Sequence, residues 1–417
     1  MKAAFFHDHK FRRDPRGTLY STGGLSYAVL ARYLENFTAL TVVARALPLA
    51  PDEHTTTLTL ATGPGIDFNC VTVRSPLEPF YAPHIRSVIR DAVRSADCVI
   101  ARLPSALGYV ACHEAIRTGT PWAVEVVGCP RDALWNYGTA LGKGATLPYR
   151  WLQQYYVKRA QYAIYVSRHF LQERYPCKGF AIGCPDASIP VSDIDVLTRR
   201  LKYLDEGWKD RPVCFGLIGS LEVGFKGHDT AIRALAAIKD QIPEFRLKIL
   251  GAGRSERWRA LAAECGVEDK VVFDGTLAAG DAVFAWMDGL DVFLMPSLQE
   301  TLGRALLEAM SRGCPALGSR ETAIPEQLGD DCVHPARDFK ELGRLIVHML
   351  GNPEYMRLCA LENFYRARKY ADQLVDGKRG EFWGRFVDDV RHDHRKRDPD
   401  LVLSTGRAPA AAWGSRR

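Results

Sequence analysis

No apolar run in the 417 residues reaches the roughly 20 positions that an α-helix needs to cross a bilayer, so an integral helical membrane protein is not expected. A cysteine framework is missing too. The 11 cysteines are odd in number, scattered, and never spaced C-x-x-C, which argues against both a disulfide scaffold and a structural zinc site. No helix-turn-helix, RNP or zinc-finger pattern supports nucleic-acid binding, and the formal charge of +6 is modest for this length. Much of that excess falls from position 391 onward, where Arg391, Arg395, Lys396, Arg397, Arg407, Arg416 and Arg417 outnumber Asp393, Asp398 and Asp400. That stretch, 392–417, reads as a basic, loosely docked tail. The first six residues are apolar apart from Lys2, but His7-Asp8-His9-Lys10 follows at once. They read as a buried strand rather than a secretory leader, and cytoplasmic residence is the expectation.

What is present is the composition of a globular α/β chain: 47% hydrophobic and 25% charged residues. The length implies two domains. Short β-branched runs at 3–6, 40–44, 98–101, 123–127 and 163–166 alternate with helical spacing at 25–34 and 85–96. After a break of turn and charged residues from Cys184 to Pro212, strands are expected at 213–218, 247–250, 271–273 and 292–295. Helices are expected at 229–239, 255–265, 304–311 and 339–350. The implied division is 1–195, 211–370, a helix over 371–391 returning to the first domain, and the tail. Asp97-Cys98-Val99-Ile100 and Asp291-Val292-Phe293-Leu294 echo each other, each an Asp opening a buried strand. Two doubly wound, Rossmann-like domains explain the echo.

The strongest chemical signal is the run from Asp291 to Met310. A buried strand ends at Pro296, a polar turn carries Glu300, and a helix opens near Gly303. The first turn of a helix leaves N–H groups unpaired and carries a partial positive charge, so it can hold a diphosphate. Glu308 lies eight residues beyond Glu300, about 12 Å along a helix. Taken alone, the pair also fits a capping Glu300 and a Glu308 that faces solvent or a nearby base. Upstream, Gly219-Ser220 and Lys226-Gly227 form a loop between a strand and a helix. A lysine there can compensate a leaving diphosphate.

In this context E-x7-E, followed by Gly313-Cys314-Pro315, resembles the donor signature of family 4 retaining glycosyltransferases. The resemblance implies an α/β fold of GT-B architecture, two Rossmann-like domains facing across a cleft. It implies that a hexose moves from a UDP- or GDP-linked donor to an acceptor hydroxyl with retention, without a metal or other cofactor. Glu300 would bond the hexose and Glu308 the ribose. The amides of Leu302 and Gly303, with Thr301 beside them, would meet the diphosphate with Lys226. Ser220 stands where many relatives have arginine. Gly251, Gly253 and Asp274 would edge the nucleotide, although ordinary strand-end turns explain them equally well. Gly23 and Gly24 would approach donor phosphate and acceptor. Relatives often carry a histidine after the strand at 123–127; this chain has none there, which leaves Glu125 and Asp132 as acceptor-side candidates. The acceptor expected is a glycan, a lipid-linked sugar or a small molecule in polysaccharide assembly of the exopolysaccharide or lipopolysaccharide kind. The aromatic and basic run Tyr149–Arg159 suits either a helix packed on the sheet or peripheral contact with a membrane. Alternatives are a non-catalytic nucleotide-sugar-binding partner subunit and a GT-B sugar-nucleotide epimerase. His7-Asp8-His9 and His392-Asp393-His394 lack a third ligand and read as solvated. Asp193-x-Asp195 lies in the break and is set aside as a metal motif.

Overall fold

The computed structural model describes the chain apart from residues 51–52, 54, 56–57, 137–139, 209 and 398–417. The expectation for the tail therefore falls largely outside the described residues. Two compact units emerge, Met1–Val124 with Arg379–Arg417, and Glu125–Lys378.

The first unit contains β1 (Lys2–Arg13), β2 (Leu19–Ser21), α1 (Tyr27–Ala31), β3 (Ala39–Pro48), β4 (Thr59–Leu60), β5 (Ile66–Val71), α2 (Glu78–Tyr81), α3 (Pro83–Ser95), β6 (Cys98–Leu103), α4 (Ala106–Thr118) and most of β7 (Trp122–Val126). β1 pairs in parallel with β3 on one side and β6 on the other, and β3 with β5. The chain thus winds out to one edge and restarts beside β1, the doubly wound pattern. Ala3 to Phe6 are completely buried, which accounts for the apolar start. β1 runs past the expected end at Phe6: its register with β3 shifts between Phe6 and Lys10, and it continues to Arg13 against the antiparallel β2. His7, Asp8 and His9 lie in this extension, half-buried rather than solvated. The Asp8 carboxylate accepts the N–H groups of Ala106 and Leu107, satisfying the start of α4.

The second unit holds α5 (Pro130–Asn136), α6 (Ala140–Arg159), β8 (Tyr162–Tyr165), α7 (Phe170–Arg174), β9 (Phe180–Gly183) and α8 (Ile194–Glu206). α8 occupies the stretch that reads as a break in the sequence. Its start is marked by Asp193, whose carboxylate serves as a helix cap. Then follow β10 (Val213–Ile218), α9 (His228–Ala237), β11 (Phe245–Leu250), α10 (Glu256–Glu264), β12 (Val271–Gly275), α11 (Asp281–Asp288), β13 (Val292–Met295), α12 (Arg304–Ser311), β14 (Ala316–Ser319), β15 (Val333–His334), α13 (Phe339–Leu350), α14 (Pro353–Ala367) and the start of α15 (Asp372–Arg397). The later part of α15 lies in the first unit, where Trp383 packs its ring against Tyr33 and Phe37.

β10 to β15 form a sheet in the order β12-β11-β10-β13-β14-β15, with each neighbouring pair parallel. Phe215, Leu217, Leu247, Ile249, Phe293 and Leu294 make its core, each at most 1% exposed. Strand order reverses between β10 and β13. Where neighbouring strands send their connections to opposite faces, a crevice opens at their carboxyl ends, and ligands of such sheets bind there. The opposite ends are clamped. Asp291, fully buried before β13, accepts both Nη1 and Nη2 of Arg211 at 2.7 and 2.8 Å and the Cys214 N–H at 2.8 Å. Asp97, before β6, accepts the Lys2 N–H at 2.7 Å. The sequence echo thus has one structural cause: each Asp ties the strand it opens to the start of the first strand of its sheet.

Candidate functional site

The carboxyl ends of β10 and β13 carry the two loops that the sequence singles out. After β10 the chain turns through a short 3-10 segment, Gly224–Lys226, into α9. Gly227 makes that turn at φ +78°, and a Cβ on it would stand 2.2 Å from the Pro296 carbonyl oxygen. Only glycine lets the two loops approach so closely. Leu298 N–H donates to the Phe225 carbonyl at 2.8 Å, pinning them together. Across this seam Lys226 Nζ meets Glu300 Oε1 at 2.5 Å, with side-chain exposures of 23% and 14%.

The position of Glu300 is fixed from behind. Its N–H donates to Thr322 Oγ1 at 2.8 Å, and its carbonyl accepts the Ala323 N–H at 3.0 Å. Gly303, at φ +64°, turns the chain into α12. The helix thus starts at Arg304, so only the later half of the Glu300-to-Glu308 interval is helical and the 12 Å expectation does not apply as stated. The Leu302 carbonyl accepts Gln327 Nε2. Thr301 and Leu302 lie in the turn just before Gly303, and the amides of the first α12 turn belong to the set that helix geometry leaves without intrahelical partners. Glu308 is not free: Arg304, one turn earlier, donates Nε to its Oε1 at 2.9 Å. The Glu308 carboxylate is 15% exposed and the Arg304 side chain 59%. Both glutamates are therefore held by cations that a diphosphate would also attract.

The remaining expected residues divide. Ser220 is exposed at the start of the lysine loop, accepting the Glu222 N–H at 3.3 Å. Gly251 is packed so that a Cβ would meet the Gly219 carbonyl oxygen at 2.0 Å, which explains that glycine by strand packing alone. Gly253 sits against Glu222. The Asp274 carboxylate is engaged by Trp286 Nε1 at 2.6 Å and lies 3.6 Å from Lys248 Nζ, a structural role. Gly23 and Gly24 lie in the first unit, where the Gly23 N–H donates to Ser21 Oγ. Glu125 is buried within β7. Asp132, in the first turn of α5, pairs with Arg174 Nη1 at 2.5 Å. That guanidinium also reaches Cys129 Sγ, which lies 3.1 Å from Tyr175 Oη.

Sequence reasoning missed the support around these groups. Thr322, itself at φ +55°, and Gln327 come from the segment after β14. So does Glu321, whose carboxyl pKa is raised by burial and then by the Asp132 charge, with Arg174 opposing. Asn136 Nδ2 donates to Gln299 Oε1 at 3.1 Å. The signal available was positional: β14 neighbours β13, so its exit loop must border the same crevice.

Comparison with known proteins agrees with this geometry. HepE of Anabaena, solved with UDP, superposes with a TM-score of 0.64 at 14% identity, over 91% of this chain and 99% of that one. The fold is GT-B, two Rossmann-like α/β parts. Residues 212–352 match the family described as glycosyl transferases group 1. CapJ of Staphylococcus aureus is 29% identical over 365 residues, 87% of this chain and 90% of CapJ. WcaL of Salmonella typhimurium, whose name assigns it to colanic acid biosynthesis, is 33% identical over 153 residues, 35% of this chain and 37% of WcaL. Among the described residues, no helix is long and apolar enough to cross a membrane.

Proposed function

We propose that this protein is a group 1 glycosyltransferase that moves a hexose from a nucleoside-diphosphate sugar to an acceptor hydroxyl with retention of anomeric configuration, in the assembly of a bacterial-type polysaccharide or glycoconjugate. The observation that carries the reading is the Lys226–Glu300 pair beside the start of α12. Hexose hydroxyls would take over Glu300, ribose hydroxyls would take over Glu308, and Lys226 and the helix start would face the diphosphate. Charge separates between sugar and diphosphate as the bond breaks, and preorganised cations and N–H groups act on that charge most strongly in the transition state. The diphosphate is thereby met without a divalent ion, so we infer metal independence. Further support comes from HepE, which has also been solved with UDP-glucose, and from the name of WcaL.

The test is transfer from a panel of UDP- and GDP-sugars, with NMR of the product anomer and of the released nucleotide. Retained configuration, product formation in excess EDTA, and its loss in Glu300→Gln are expected. Inverted product overturns the mechanism, and loss of turnover in EDTA overturns metal independence. Donor binding without transfer across a broad acceptor panel favours a partner subunit instead.

A further inference from the structure

We propose that the exposed face of α6, together with Trp135 at the end of α5, is a docking surface for an anionic lipid bilayer. Within its 20 residues α6 carries Lys143, Arg150, Lys158 and Arg159 and no acid. Gln153, Tyr156 and Val157 are buried and define the side that packs on the fold. Away from them stand Leu147, 69% exposed, and Trp151, 60% exposed. Positions 143, 147, 151 and 155 recur every four residues, so they line one helix face.

That face is ordered as an interfacial surface is ordered. Lys143 Nζ lies 5.4 Å from the ring of Trp135, itself 58% exposed. The Trp151 and Tyr155 rings are 5.3 Å apart, and the Arg159 guanidinium lies 3.7 Å over Tyr155. Large apolar side chains left in water forgo burial that a bilayer provides, and indole rings flanked by ammonium and guanidinium groups suit the headgroup layer. The absence of any carboxylate on α6 matches one partner chemistry, a continuous negative surface. Exposed apolar and aromatic side chains interleaved with bases and free of acids are the combination that a headgroup layer over an acyl core takes up. The surface also begins beside the donor loops: Asn136, next to Trp135, holds Gln299, the neighbour of Glu300. A bilayer seated here would present a membrane-borne acceptor at the site. That last consequence rests on the proposed function; the docking itself does not.

Flotation of the full chain with vesicles tests it. Binding is expected to phosphatidylglycerol mixed with phosphatidylcholine, weakening with salt, and little to phosphatidylcholine alone. Lys143→Gln with Lys158→Gln should lower partitioning about thirtyfold, at roughly a factor of five per charge. Leu147→Gln with Trp151→Gln should lower it at least about tenfold, with unchanged circular dichroism as the folding control. The proposal is overturned if the parent protein fails to float, if both vesicle types bind it equally, or if both double variants float like the parent. Glu300→Gln should float normally. A chain that floats but transfers no sugar sinks the functional reading and leaves this surface standing.

Discussion

Lys226→Ala separates chemistry from folding more sharply than any other substitution in this chain. The Lys226 stem lies over Gly219, where a Cβ would stand 2.8 Å from Lys226 Cγ, and its ammonium ends 2.5 Å from Glu300. On the proposed function, removing it takes away a preorganised positive group facing the leaving diphosphate. Losses of that type amount to about 100- to 1000-fold in kcat, roughly 3 to 4 kcal/mol of transition-state stabilisation. The folded state loses far less. Glu300 keeps its backbone anchors to Thr322 and Ala323, and a carboxylate 14% exposed at a crevice can recruit water. A stability change within about 1 kcal/mol follows. Arg304→Ala is the contrast: that side chain is 59% exposed and its pair spans one helical turn. Such a pair contributes about 0.3 to 0.5 kcal/mol, so its loss should lower stability by no more than about 0.5 kcal/mol. Steady-state transfer and thermal melting on the same preparations read both quantities. Turnover of Lys226→Ala within threefold of the parent refutes the reasoning. So does a fall in melting temperature large enough to explain the loss.

Other consequences follow from groups outside the donor pocket. Arg211→Ala strands the fully buried Asp291 without its guanidinium partner and should destabilise the chain by about 3 to 5 kcal/mol in urea titrations; a change under 1 kcal/mol would show that Asp291 is stabilised by other means. Gly227→Ala forces a Cβ to 2.2 Å from the Pro296 oxygen at a positive φ, so it should lose at least about 1 to 2 kcal/mol of stability together with turnover. Gly23→Ala, with open space around its would-be Cβ, should leave stability near the parent value. Burial holds the His228 imidazole down at about 4, against an ordinary value of 6.5. The unfolded chain therefore protonates first: this residue's contribution is complete above pH 6.5 and is lost as pH falls toward 4, by up to about 3 kcal/mol. His228→Phe should flatten that part of the stability profile, and an unchanged slope would assign the dependence to other groups.

The sequence was most legible where burial and backbone geometry speak together. β10, β13, α12 and α13 fall at the expected positions because their apolar spacing is dense and their ends are marked by Gly or Asp. The loops that carry Lys226 and Glu300 were legible for a related reason: Gly227 and Gly303 mark turns at positive φ just beyond the two strands. α8 was hidden. Its buried side is short, Val196, Leu197, Arg200 and Leu204, and includes an arginine whose donors satisfy carbonyls of Met287, Leu290 and Arg312. Leu197, Leu201 and Leu204 do recur at helical spacing, but the charged residues around them give the stretch the composition of a connection. The extension of β1 was hidden as well, because His7 to Lys10 are polar and the strand continues through pairing with β2 and β3, which the apolar pattern does not encode. Thr322 and Gln327 act on Glu300 and Leu302 through tertiary proximity, which spacing along the chain does not encode.

Asp291 and Glu300 stand at opposite ends of one short strand, and they divide the labour of β13. The carboxylate at its beginning is sealed in the fold with Arg211, whereas the one at its end lies in a surface loop beside Lys226. The group that holds the sheet and the group proposed to meet a sugar are thus separated along a few residues of backbone. On the proposed function, grafting other loops at the exit side is expected to alter donor preference while the entry side keeps the sheet in register.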